Sequence, residues 1–387
     1  MFANAVVVCI ARSSGVELVQ QTLSRSHVLT TCYCDLLTTM SFTDSSLVCQ
    51  QAYEYNANVW IILVFCIVLV LNVLGLASTI HVSRLLLSTQ VEVFHINLRI
   101  LFANLSLALV IRSALTLYRA GQHLYLNLTY TSTCDFLQSA RYCDIQSTLT
   151  SSPVLICVYA YLLIALERSV STYSFRTYEK RRDIVFTVII ATAAWYHPVY
   201  NVVVMFIGDS AQEDPKPYCS SMTSKSNVNM MEKFLLPIIV IVICFVLFVI
   251  ILRFCIEKTR MTQNTQQQLS TLSGRFQLNE NIRASRIVLP NAFLFLIVCG
   301  MNIAVLFLFN AFIDKSNMKL YGILKEISSL TFPIYINLYS WIFILRCPAV
   351  ARRTYFIRRF TRFTKEPLQE QIMGSNNHFS MLNNYWK

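Results

Sequence analysis

Charge is scarce in this chain. Only 13% of its 387 residues are Asp, Glu, Lys or Arg, against about 25% in a soluble domain, which excludes an ordinary water-soluble fold. Glycine (8) and proline (9) are also few, so no long flexible linker is expected. No internal repeat is visible, which argues against transporter folds built from duplicated halves. No apolar stretch carries a His/Asp/Glu cluster at metal-ligand spacing, and no Ser–His pair is recognisable. An enzyme is therefore the least expected reading, and no metal or cofactor is expected. A cleavable leader is not expected either, because the apolar run Ala5–Ile10 is short and no basic residue precedes it.

What fills the chain instead is apolar: 55% of it is hydrophobic. Seven stretches stand out, at 59–80, 96–118, 147–166, 184–207, 234–256, 287–311 and 322–346. Each can cross a hydrocarbon core of about 30 Å, which takes ~20 residues as a helix. Backbone groups in lipid must be satisfied internally, so helices are expected throughout. The fold class is thus an all-α membrane protein, a seven-transmembrane helix bundle. The organisation that follows is an extracellular N-terminal tail at 1–58, the bundle at 59–346, a juxtamembrane helix at 347–366 and a cytoplasmic tail at 367–387, polar and expected to be disordered.

The net charge of +12 reads as a topology signal, not as a nucleic-acid footprint. With the N-terminus outside, 19 of the 32 Lys and Arg residues fall in inner segments and 9 in outer ones. The expected topology is therefore N-terminus out and C-terminus in, as a multi-pass protein of the plasma membrane. Past the seventh stretch, Phe356, Phe360 and Phe363 recur at helical spacing among Arg358, Arg359 and Arg362. That pattern predicts an amphipathic helix on the inner leaflet, with membrane lipids as partners, and Cys347 is a candidate for palmitoylation.

Of thirteen cysteines, Cys66, Cys157, Cys244 and Cys299 lie within stretches and are expected to pack as small apolar residues. Cys9, Cys32, Cys34, Cys49, Cys134, Cys143 and Cys219 fall on the outer, oxidising side. A Cys143–Cys219 bridge would pin the loop between the fourth and fifth stretches over the bundle; the pairing of the others stays open. Asn127-Leu128-Thr129 is a glycosylation sequon placed in the outer loop after the second stretch. Asn104-Leu105-Ser106 also matches but lies inside that stretch.

Charges inside a membrane helix carry functional hypotheses. Arg99 sits near the inner end of the second stretch and is expected to snorkel to the interface. Arg112 lies about 20 Å further out at helical rise. Two readings stand for it: outward snorkelling, or a watery pocket where it meets an anionic ligand group or a partner such as Asp144 or Glu326. With Thr150, on the side of the third stretch that also carries Arg168, these form the candidate ligand set: Arg112, Asp144, Thr150 and Glu326. Tyr196, His197 and Pro198 form a polar group in the fourth stretch, read as containing a satisfied core histidine. Glu167-Arg168 ends the third stretch as a carboxylate and guanidinium at a boundary, suited to a switch. Pro333 should kink the seventh helix, with Tyr335, Asn337 and Tyr339 meeting the freed groups and lining a core path. Pro237 and Pro290 invite similar bends. The polar run before the sixth stretch, Arg275 to Arg283, should extend that helix.

Three stretches resemble a known family: His95-Ile96-Asn97-Leu98-Arg99-Ile100-Leu101; Glu167-Arg168-Ser169-Val170-Ser171-Thr172 followed by Tyr178-Glu179; and Leu272-Ser273-Gly274-Arg275-Phe276-Gln277-Leu278-Asn279-Glu280-Asn281-Ile282. They resemble the nematode serpentine chemoreceptors of the Sra superfamily, most of all its class AB branch, over about residues 55–365. The wider plan resembles that of G-protein-coupled receptors, with Cys143 25 residues before Arg168 and Asn72 in the first stretch. The chain lacks an acidic residue at Leu105–Val110, a Cys-Trp-x-Pro pattern in the sixth stretch and an Asn-Pro-x-x-Tyr in the seventh, which sets it apart from amine and peptide receptors. The resemblance implies a chemosensory receptor in sensory-neuron cilia. It would bind an odorant, pheromone or peptide in the outer half of the bundle and activate a heterotrimeric G protein, and dimerisation stays open. The competing reading is a transporter or ligand-gated channel.

Overall fold

The computed structural model describes residues 47–88, 94–173, 184–207, 219, 236–264, 272–312 and 318–347. Seven helices among them are long and apolar enough to cross a membrane: Val59–Leu87, Ile96–Thr129, Ala140–Tyr173, Ile184–Ile207, Pro237–Glu257, Glu280–Val305 and Gly322–Arg346, here spans one to seven. Most outrun their apolar stretches. Span two continues to Thr129 because polar residues such as Gln122, His123 and Asn127 need no membrane to remain helical. Arg119 thus lies inside a helix rather than in a loop. The helix of span six is continuous from Leu272, as its polar lead-in predicts.

Local chemistry sets several boundaries. Asn58 caps span one by accepting a hydrogen bond from the Trp60 N–H at 2.9 Å. At the other end of that span, Arg99 donates to the carbonyls of Leu86 and Ser88, both at 2.7 Å. Arg99 is buried, so the snorkelling expectation is corrected: orphan carbonyls at a helix C-terminus attract the cation inward. Span seven is interrupted at Leu330, between helices Met318–Ser329 and Thr331–Arg346. Pro333 falls in the first turn of the second piece, where a missing N–H leaves no intrahelical bond unmade.

Span three is the hub. It packs against spans two, four, five and six, while span seven closes the ring between spans six and one. Tyr161, Phe295, Phe332, Tyr335, Tyr339 and Phe343 share one buried cluster, in which the Tyr161 and Tyr335 hydroxyls meet at 2.7 Å. Spans one and seven approach closely at Gly75, where an added Cβ would sit 3.1 Å from the Ile336 side chain. Span four is peripheral, with only 11% of its apolar window buried. His197 is accordingly exposed, 3.4 Å from both the Tyr159 hydroxyl and the Asn201 amide; the core-histidine expectation fails because that helix has too few neighbours to enclose it. Cys66 also faces outward, whereas Cys157, Cys244 and Cys299 are buried.

A short helix at 47–56 precedes span one, so the end of the expected tail is ordered. Cys49 is disulfide-bonded to Cys134, and Cys143 to Cys219. Cys347 is buried, an environment that screens the thiol from modification. Cys9, Cys32, Cys34, the basic loop Arg176–Arg182 and the amphipathic segment 352–365 lie outside the described residues.

Candidate functional site

Two polar clusters occupy opposite ends of the bundle. At the end of span three, Arg168 is wholly buried. Its guanidinium pairs with the Glu167 carboxylate and reaches span six, donating to Asn281 Oδ1 at 2.7 Å. Glu280 Oε1 lies 4.0 Å away. Asn281 makes two further bonds: Oδ1 also accepts from the Ser171 hydroxyl at 3.0 Å, and Nδ2 donates to Thr172 Oγ1 at 3.2 Å. Glu280 accepts from the His95 N–H at the start of span two, at 2.6 Å. One cation between two carboxylates thus ties spans two, three and six together.

At the disulfide end the balance of charge is reversed. Arg112, Arg119 and His123 recur on span two at intervals of seven and four residues, so they share one helix face. Arg119 pairs with Glu326, a span-seven carboxylate whose side chain is 2% exposed. Lys325 lies beside it in sequence, and Arg112, Arg119 and Lys325 are all within electrostatic range of Glu326. His123 stacks on Phe65 of span one, ring centroids 4.0 Å apart, and Arg119 lies 5.7 Å from the same ring. A hollow of about 30 Å³ opens here, lined by Tyr55, Asn56, Arg119, Gln122, His123 and Gln146 among others. Tyr55 belongs to the helix 47–56, and it packs on the start of span seven because Gly322 has no side chain: a Cβ there would meet the ring at 2.1 Å. A larger hollow of about 550 Å³ lies along the outward face of span four; its apolar lining, from Val188 to Val199, suits lipid.

The candidate ligand set comes together only in part. Arg112 points its guanidinium at the backbone carbonyl of Thr150 and at the ring of Phe332, 5.2 Å from the centroid. Glu326 belongs to Arg119, not to Arg112. The Thr150 hydroxyl turns back onto its own helix, to the carbonyls of Gln146 and Ser147. Asp144 is half-buried near the start of span three. Asn127 lies in the last turn of span two rather than in a loop, its amide donating to the His123 carbonyl at 3.1 Å.

The switch candidates occupy two levels. Glu167 and Arg168 form the cluster described, while the others lie midway along span seven. Asn337 donates to the Leu71 carbonyl in span one at 2.9 Å and to the Pro333 carbonyl at 2.8 Å. The Tyr339 hydroxyl meets that of Ser106 in span two at 2.9 Å. Because Pro333 lies in the first turn of its helix, the expected repair role is replaced by ties from span seven to spans one and two. Sequence reasoning missed Arg119, His123, Glu280 and Asn281. The face shared by Arg112, Arg119 and His123 was the available signal for the first two.

Comparison with known proteins agrees with this architecture. The family model described as serpentine type 7TM GPCR receptor class ab chemoreceptor matches residues 46–387. Serpentine receptor class alpha/beta-14 of Caenorhabditis elegans is 24% identical over 370 residues, covering 88% of this chain and 92% of its own. A probable G-protein coupled receptor of the same organism is 26% identical over 247 residues, 63% of this chain and 64% of its own. With seven spans around a central third helix and a match over nearly all of them, the chain belongs to the class ab serpentine chemoreceptors, a family of the G-protein-coupled-receptor type.

Proposed function

We propose that this protein is a ligand-gated chemosensory receptor of the plasma membrane in sensory-neuron cilia, with the disulfide end outside and the Arg168 end facing a heterotrimeric G protein. The observation that carries the reading is the buried Arg168, held against Asn281 across the junction of spans three and six. A G protein needs a cleft at that end, and here the cleft is tied shut. An odorant, pheromone or peptide bound at the other end opens it by favouring the untied state, and only by its difference in affinity between the two. Both disulfides among the described residues lie at the far end and support an oxidising exterior there, as does the excess of basic residues in the opposite segments.

Asn281→Ala removes the span-six acceptor while sparing the charges. It should raise ligand-independent G-protein signalling several-fold in transfected cells, whereas Arg168→Ala should abolish the ligand-dependent response. Unchanged basal and stimulated signalling in both variants would refute the switch role. Orientation has its own test: a glycosidase-sensitive mobility shift that disappears in Asn127→Gln places the end of span two outside, and a C-terminal reporter found on the cell surface would end the receptor reading.

A further inference from the structure

The polar hollow at the disulfide end is lined by Arg119 and His123 and lies beside a buried group in which cations outnumber carboxylates among the described residues. The cations Arg112, Arg119 and Lys325, and the imidazole of His123, all lie within electrostatic range of one carboxylate, Glu326. Among the described residues, no Asp or Glu lines the hollow. Two buried nitrogens on this face of span two lack partners among the described residues: Arg112 Nε, further along the helix from the hollow, and His123 Nε2, in the lining of the hollow. The second is a donor, because the Asn127 amide approaches Nδ1 of the same ring at 3.1 Å and an amide N–H must find an acceptor. Nδ1 is then the bare nitrogen and Nε2 carries the hydrogen. Buried donors without acceptors are rare and call for an explanation.

We propose that the hollow is the seat of a ligand carboxylate, which takes Arg119 from Glu326 and accepts from His123 Nε2–H. This rests on the receptor reading above and names the ligand class. The two-oxygen acceptor matches a guanidinium fork geometrically, and about 30 Å³ takes a head group, not a whole odorant. Glu326 is thus an internal counter-ion that the ligand replaces. Exchange at this point loosens span two from span seven, the contact that Arg119–Glu326 makes.

The test uses the full-length receptor in lipid nanodiscs and the straight-chain carboxylates from acetate to octanoate, with their methyl esters and inorganic phosphate as controls, read by ligand-observed NMR. Carboxylates should bind and esters should not. Glu326→Gln, which removes the competing charge but keeps a hydrogen-bond acceptor for Arg119, should tighten carboxylate binding about tenfold. His123→Phe, which preserves the ring stack on Phe65, should weaken it severalfold. Equal binding of acids and esters, binding of phosphate alone, or no carboxylate binding to wild type or Glu326→Gln would each overturn the site. GTP exchange on a co-reconstituted G protein separates the two readings. A neutral odorant that drives exchange while no carboxylate binds leaves the receptor standing and removes the anion site. Carboxylate binding with no exchange under any ligand does the reverse.

Discussion

The two ends of the bundle are inverted copies in charge. Around Arg168, one cation serves two carboxylates, Glu167 and Glu280; around Glu326, one carboxylate serves Arg119 with Arg112 and Lys325 in range. The surrounding hydrogen bonds differ too. At the Arg168 end, Asn281 accepts from Arg168 and Ser171 and donates to Thr172, so the charged group itself is bonded across two spans, although the buried Ser285 hydroxyl one turn further along has no partner among the described residues. At the disulfide end Arg112 Nε and His123 Nε2 remain without partners among the described residues. Charge-assisted bonds made across two spans favour one arrangement, while charged or ring nitrogens left without acceptors leave room for another. On the proposed reading, one end holds a state and the other receives a ligand.

The sharpest way to break the comparison is to remove the hub of each cluster. Arg168→Ala leaves two carboxylates and the Asn281 carbonyl facing each other in a site that is 0% exposed. Stranding buried charge in this way costs about 3–5 kcal/mol, so the thermal midpoint of the purified receptor should fall further than for any other single change here. Glu326→Ala should come next, because three cations lose their counter-charge. The Arg119 side chain is 24% exposed, so part of that cost is relieved by water. Arg119→Ala should cost less again, since Lys325 remains to serve Glu326. If the spoke variant destabilised as much as the hub variants, the inverted-hub description would be wrong.

How legible this arrangement is in the sequence depends on the distance over which each feature acts. Helix length and hydropathy act locally, and seven stretches became seven spans. Cys143, near the start of span three, and Cys219, in the loop between spans four and five, are bonded as their outer positions suggest. Glu167 and Arg168 are adjacent, so their pairing is readable; their link to Asn281, 113 residues away from Arg168, depends on which turn of span six meets span three. Pairing Glu326 with Arg119 instead of Arg112 is a choice between two residues on one helix face, settled by a vertical offset of about 10 Å that hydropathy does not encode. His197 shows the converse. A polar residue midway along an apolar run reads as core, but a helix with few neighbours leaves it outside.

A smaller change sharpens the disulfide end alone. Gly322→Ala puts a Cβ at 2.1 Å from the Tyr55 ring, so the ring must leave span seven. Overpacking of this kind costs about 1–3 kcal/mol. Hydrogen exchange should quicken across residues 47–56 while amides around Asn281 keep their protection. Faster exchange at both ends would mean that the two clusters are one cooperative unit.

The smallest expected effect concerns the short 3-10 helix Thr133–Phe136, which carries both Cys134, the partner of Cys49, and Phe136, a wall of the hollow. Its Asp135 accepts from the Ser132 and Thr131 N–H groups at 2.9 and 2.8 Å and from both hydroxyls. Those bonds, the Ser132 N–H foremost, hold its carboxyl well below the usual carboxylate range. A depressed folded-state pKa contributes stability that is fully present above the ordinary value near 4 and is lost only as pH falls through the lowered one. The turn should therefore keep its shape from pH 7 down through 4, while Asp135→Asn, with no charge to titrate, loses part of that stability at neutral pH and shows no further acid step. Amide exchange at 131–136 checks this. An acid step near pH 4 in the wild type would show that the carboxylate is not held by these bonds, and that the wall of the hollow owes its position to the Cys49–Cys134 disulfide alone.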